Sequence, residues 1–177
     1  MLKNNKNSYT GVAKFFHWTI GLLMIVMLIF GYFMTGSTMV NIHKLTGLII
    51  LCLALCSIVW TLTHKHPKLP AKTPWYEKTL ARTVQGLLYI CMFAMPLSGW
   101  AMATAFGFAP HIGSLRLPMP GITADPVLGA AIVKIHVNLA IGLIVFICLH
   151  FAGALKHHFI GKDDVLRKML PFRKVGS

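Results

Sequence analysis

The stretch LGAAIVKIHVNLAIGLIVFICLHFAGALKHHF, residues 128–159, decides the fold. It contains no acid and, before Lys156, a single cation, Lys134. It is also longer than the roughly 20 apolar residues that carry a helix across the hydrocarbon core of a bilayer. Two histidines interrupt its apolar part before Lys156, His136 and His150. They lie ~21 Å apart along a helix axis and within ~40° of one face at 3.6 residues per turn. An ionisable side chain at membrane depth is costly, so each is a candidate functional residue.

Outward from this run, three more apolar stretches predict spanning helices at 14–34, 41–63 and 78–105, the last with Pro96 inside it. Proline is tolerated there because neighbouring helices can satisfy the freed carbonyl. The chain is 56% hydrophobic and 12% charged with a mean hydropathy of +0.69, which excludes the soluble globular class. The expected architecture is an all-α membrane protein, a bundle of four transmembrane helices, with residues 1–177 as one domain. Gly36-Ser37 marks the first turn, and 162–170 reads as a short amphipathic interfacial helix. The Gly- and Pro-rich segment 106–126 is the longest external connection, and 112–117 within it is too short and broken to predict a strand.

A net charge of +13 could suggest a nucleic-acid binder, but the placement of the cations excludes it. Lys3, Lys6 and Lys14 precede the first apolar run; Lys65, Lys68, Lys72, Lys78 and Arg82 lie between the second and third; Lys156, Lys162, Arg167, Lys168, Arg173 and Lys174 follow the fourth. The other two connections carry only Lys44, Arg116 and Lys134. The positive-inside rule therefore puts both termini and the middle loop in the cytoplasm. That basic, proline-rich loop can lie along anionic lipid. The opening apolar run, Val12 to Met34, is too long for a signal-peptide core and is not followed by a cleavage site. Cys52, Cys56, Cys91 and Cys148 all fall in apolar runs and are expected in the core. Because no C-x-x-C-H occurs, covalent haem attachment is excluded.

Of nine histidines, His17, His43, His136 and His150 lie in or at the ends of spans. Singly, each could bond a carbonyl on a neighbouring helix; together they form a pattern. Helices one and two run in opposite directions, so His17 lies toward the cytoplasm and His43 toward the outside. The fourth helix supplies a residue at each level, giving His43 with His136 outside and His17 with His150 inside. Two pairs of facing imidazoles in a helical bundle are the ligand set of two non-covalent b haems. An iron with two axial histidines has no open site, which suits electron transfer. Gly21 and Gly47 each follow a histidine by four residues, leaving room on its face for a flat macrocycle, although small residues also serve helix packing. Lys44 and Lys134 outside and Lys14 inside could neutralise propionates or simply snorkel. His157 is a rival to His150 as inner ligand, while His64, His66 and His111 fall in loops. Trp18, Trp60, Trp75 and Trp100 read as interfacial aromatics, with Trp18 also a candidate to pack on a haem. Met24, Met27, Met92, Met95 and Met102 read as bundle core.

Several blocks resemble the bacterial cytochrome b-561 family: Phe16-His17-Trp18, Ile42-His43 with Gly47, Leu88-Tyr89 to Pro96-Leu97-Ser98-Gly99, and Ile135-His136. The most specific runs from His150 to Phe159 and on to Lys162–Met169. The resemblance covers nearly the whole chain. It implies a four-helix protein of the bacterial inner membrane holding two b haems at His17, His43, His136 and His150, and exchanging electrons with the ubiquinone pool. Some family members take electrons from superoxide. The chain departs from the family pattern at Ser57 and Thr61, where arginines are usual, and at Gln85, where a histidine is common. Contacts to quinone or propionate on the cytoplasmic side therefore do not carry over.

Three functions compete at this point. The first is a redox enzyme linking a donor at the outer haem, superoxide being one candidate, to ubiquinone; the cationic outer connections favour an anionic donor. The second is a membrane anchor and electron conduit for a separate periplasmic dehydrogenase or other redox protein. The third, a transporter with a histidine relay, finds no buried carboxylate in the spans to work with.

Overall fold

The computed structural model describes residues 9–64, 67 and 73–170. Lys3, Lys6, Lys65, His66, Lys68, Lys72, Arg173 and Lys174 lie outside the described residues. In chain order the elements are α1 (Gly11–Phe33), α2 (Gly36–Thr63), α3 (Trp75–Ala105), β1 (His111–Ile112), β2 (Leu115–Arg116), α4 (Pro126–Phe159) and α5 (Val165–Met169). The first three and α4 are each long and apolar enough to cross a membrane. The protein is an all-α, four-helix membrane bundle.

Helix ends follow local chemistry. Thr10 caps α1 by accepting from Ala13 N at 3.2 Å. Asp125 caps α4 by accepting from Val127 N and Leu128 N at 2.9 and 3.1 Å, with Pro126 in the first turn. Lys156, His157 and His158 occupy the last turn of α4, where cations favour the helix dipole. The structure starts α2 at Gly36, five residues before the predicted 41. Residues 35–40 read as a polar link, but Gly36 takes φ +74° and the link winds into the first turns of the helix. At ~1.5 Å per residue the 28 residues of α2 span ~42 Å against a core of ~30 Å, so polar turns at its ends cost little.

Each helix packs on the next, and α4 packs extensively only on α3 and α5. Between the two histidine levels the middle of the bundle is apolar, built from Ile20, Met24, Ile50, Ala54, Cys91, Met92 and Leu143. Met27 and Met95 pack against it. Leu143 is 2% exposed and stands seven residues from both His136 and His150, on the same face of α4. Leu143→Ala is expected to cost about 2 kcal/mol. That is the low end of the range for core leucines, because a helix left in lipid keeps its hydrophobic shelter and loses mainly packing contacts. Unfolding in mixed micelles measures it.

Two expectations are corrected here. Cys91 is buried, but Cys52, Cys56 and Cys148 are exposed on the outside of the bundle. In lipid both faces of a helix are apolar, so the sequence does not mark the inner one. Segment 112–117, predicted to form no strand, closes instead into a minimal hairpin in which His111 pairs with Arg116 and Ile112 with Leu115. Gly113 turns it with φ +58°. Asn41 anchors it from α2, donating to His111 O at 2.9 Å and accepting from His111 N at 3.0 Å.

The outer loop is stitched down at further points. Lys44 Nζ donates to Phe108 O at 2.5 Å, Trp100 Nε1 to Leu117 O at 2.8 Å and Met119 N to Thr104 Oγ1 at 2.9 Å. At the opposite end Lys14 Nζ donates to Leu170 O at 2.9 Å and Trp18 Nε1 to Met169 O at 2.8 Å, so α1 holds the chain around α5. Glu77 and Lys156 form an ion pair between α3 and α4 at this end.

Candidate functional site

Four histidines on three helices meet in two places. The His43 ring of α2 and the His136 ring of α4 have centroids 6.5 Å apart with planes at 76°. The His17 ring of α1 and the His150 ring of α4 are 5.9 Å apart at 54°. Each pair spans a gap that backbone packing leaves open, because α4 lies along α3 and not along α1 or α2. His150 is exposed, although its ring sits among apolar helices and faces α1.

The surroundings of the outer pair fix its rings. Ser98, two residues after Pro96 on α3, donates its hydroxyl proton to Met95 O at 2.9 Å. The same oxygen lies 2.9 Å from His136 Nδ1. With its one proton already committed, the serine oxygen can only accept, so His136 carries its proton on Nδ1 and presents an unprotonated Nε2. That is the tautomer a metal-ligating histidine needs, set by its second hydrogen bond. A Cβ built on Gly99 would lie 3.1 Å from His136 Cε1, and one on Gly31 would lie 3.0 Å from His43 Cε1. Both glycines bring a helix backbone directly against an imidazole. Phe30 stacks on His43 at 6.3 Å and 8°. His43 Nδ1 is buried with no hydrogen-bond partner.

The inner pair has a different support. Trp18 packs edge-on against His17 at 5.6 Å while its indole N–H holds Met169 O. His157, the rival inner ligand, is bonded through Nδ1 to Asp163 Oδ2 at 2.6 Å. His64 stacks on Trp60, and His111 lies in the hairpin. Of the lysines considered for propionates, Lys14 and Lys44 hold the carbonyls of Leu170 and Phe108, and Lys134 is exposed. Gly21 faces open space, and Gly47 faces Pro96 Cβ at 4.0 Å.

Sequence reasoning missed Ser98, Gly99 and Gly31. The signal for Ser98 was present as a hydroxyl at the depth of His136, but a serine on a spanning helix more often bonds only its own carbonyl. Nothing in the spacing announces which glycine meets which histidine.

Among the described residues no group of three or more His, Cys, Asp or Glu could hold a metal ion. A tetrahedral zinc centre, with its four protein ligands, is therefore not built by them. A pair of facing imidazoles would hold an iron whose other ligands come from a macrocycle. Metal–nitrogen bonds of ~2 Å on both sides would separate the ring centres by ~6 Å, close to what is observed. The open gaps and the Nδ1-protonated His136 fit such a group. Gly99→Val is expected to push the His136 ring out of line and weaken the outer pair alone, read as a lower haem content of the purified protein.

The fold and this site define a class: multi-pass helical membrane proteins with an interior of paired histidines. A sequence model of the prokaryotic cytochrome b561 family matches residues 8–172, and the chain belongs to that family. It is 28% identical to cytochrome b561 homolog 2 of Escherichia coli K12 over 94% of this chain and 93% of that protein. Against cytochrome b561 homolog 1 of the same organism it is 26% identical, over 95% of this chain and 99% of the relative. A probable superoxide oxidase of Yersinia pestis is 27% identical, over 89% and 93% of the two chains. Family membership makes the protein a bacterial inner-membrane cytochrome carrying b-type haem and acting in transmembrane electron transfer.

Proposed function

We propose that the whole chain works as one unit holding two b haems, His43 with His136 at the outer level and His17 with His150 at the inner one. In this reading it passes electrons between a periplasmic-side donor and membrane ubiquinone. The observation that carries the reading is the pair of facing imidazole couples, both using α4, with ring centres 6.5 and 5.9 Å apart. Haem supplies one-electron redox chemistry when bound. The chain's own residues do the rest. Ser98 holds the His136 tautomer, Gly31 and Gly99 allow close backing of the outer rings, Gly21 leaves the face beside His17 clear, and Gly47 lets Pro96 of α3 approach beside His43. Leu143 and its neighbours keep water out of the middle.

Superoxide is the donor we favour. The described residues of the outer loop carry Arg116 and, from α2, Lys44, with Asp125 committed to capping α4. A relative is a probable superoxide oxidase. Each superoxide would give one electron and become dioxygen, and two electrons with two protons would convert ubiquinone to ubiquinol.

A reduced-minus-oxidised spectrum of the detergent-purified protein, with haem quantified per chain, tests the haem count. Two b-type haems per chain are expected; a colourless protein after haem-sufficient expression would overturn the reading. Stopped-flow mixing with superoxide, with and without a soluble quinone, tests the donor. Reduction of the bound haem by superoxide is expected.

A further inference from the structure

Between the first turn of α2 and the hairpin of the outer loop lies a cleft of about 610 Å³. Its walls include Ser37, Val40, Lys44, Phe108, His111 and Arg116, and no acidic residue lines it. The volume is about twenty times the roughly 30 Å³ share of one water molecule, so a diatomic anion would not be enclosed by it. Lys44 spends one of its three donors on Phe108 O. The Arg116 side chain has neither a hydrogen bond nor an ion pair among the described residues, leaving its planar fork of donors available for an oxyanion.

The depth and rim of the cleft narrow the choice of anion. Because α2 is ~12 Å longer than the hydrocarbon core and its first turn is polar and lies seven residues before His43, that turn would reach headgroup level on the outer side. The hairpin carries large apolar side chains that none of the described residues covers, next to its cation Arg116: Ile112 is 62% exposed and Leu115 61%, and Phe108 is exposed beside them. Apolar side chains beside unpaired cations at that depth match a molecule with a phosphate at one end and acyl chains at the other. We propose that this cleft binds the phosphate head of an anionic phospholipid of the outer leaflet, with Arg116 and Lys44 on the phosphate and Phe108, Ile112 and Leu115 along the upper acyl chains. The lipid would tie the hairpin to α2 beside the Asn41 clasp.

The holoprotein is titrated with dioleoyl-phosphatidylglycerol or dioleoyl-phosphatidylcholine in detergent, and retained lipid is counted by native mass spectrometry. One tightly retained phosphatidylglycerol per chain is expected, weakened about fivefold in Arg116→Gln, since one basic residue near a lipid surface is worth roughly that factor. Lys44→Gln should weaken it similarly; Arg116→Gln is the cleaner variant because it removes no bond within the chain. Equal retention of the two lipids, or of phosphatidylglycerol by wild type and Arg116→Gln, would overturn the proposal. So would displacement of the lipid's effect by inorganic phosphate alone, which would assign the cleft to a soluble anion. A changed haem spectrum in Arg116→Gln with lipid retention intact would overturn it too, assigning the arginine to the haem.

Discussion

His150→Ala is expected to halve the haem content of the purified protein, from two per chain to one, and to stop electron flow from an outer donor to quinone. The reason lies in α4, which contributes one histidine to each level from a single face, fourteen residues apart. Removing the inner imidazole leaves His17 without its partner 5.9 Å away and leaves the outer pair untouched, so the surviving haem should keep its spectrum. His17→Ala should give the same result, and His43→Ala or His136→Ala the complementary one. Added imidazole should restore part of the lost signal in His150→Ala, because the gap between α1 and α4 would admit it. The control is His157→Ala. Its ring is held by Asp163 at 2.6 Å, and both haems should survive its loss. If His157→Ala removes a haem and His150→Ala does not, the inner assignment is wrong.

Ser98→Ala should weaken retention of the outer haem about 10–100-fold and raise its midpoint potential, leaving the inner haem alone. The serine accepts the Nδ1 proton of His136 while its own proton is tied to Met95 O. That hydrogen bond orients the ring and would make Nε2 a stronger donor toward a bound haem iron, favouring its oxidised state. Without it the ring can rotate and the ligand weakens. Ser98→Thr keeps the hydroxyl and should rescue most of the effect. Spectroelectrochemical titration of both variants reads the two haems separately. Unchanged outer potential and haem retention in Ser98→Ala would mean the serine serves only its own helix.

Much of this protein could be read from residue order because a membrane simplifies the problem. Backbone groups in lipid must be satisfied within a helix, so each long apolar run had to be a spanning helix. The predicted ends of all four spans fall within five residues of the structure's, the largest difference being at Gly36. The polar turn there resembles a loop in composition but sits beyond the hydrocarbon, where a helix can keep going. The hairpin at 111–116 escaped for a related reason. Two-residue strands have no periodicity, and this pair is set by a distant residue, Asn41. The cysteines show the cost of the same simplification: with lipid outside and side chains inside, both faces of a span are apolar, and three of the four face outward.

For the candidate site, the sequence by itself determined which histidines lie at which depth. Helix rise and alternating direction are fixed by chain geometry, and His136 and His150 share a face of one helix whatever its neighbours do. Only the tertiary structure decided what stands behind those rings. Ser98, Gly99 and Gly31 act from α3 and α1, and their registers against α4 and α2 depend on how side chains interlock across the bundle. The outer cleft arises in the same way, from a loop folded back over the first turn of a helix about seventy residues earlier in the chain. Spacing along one helix is a local property; the meeting of two helices is set by packing, which no single stretch of the sequence contains.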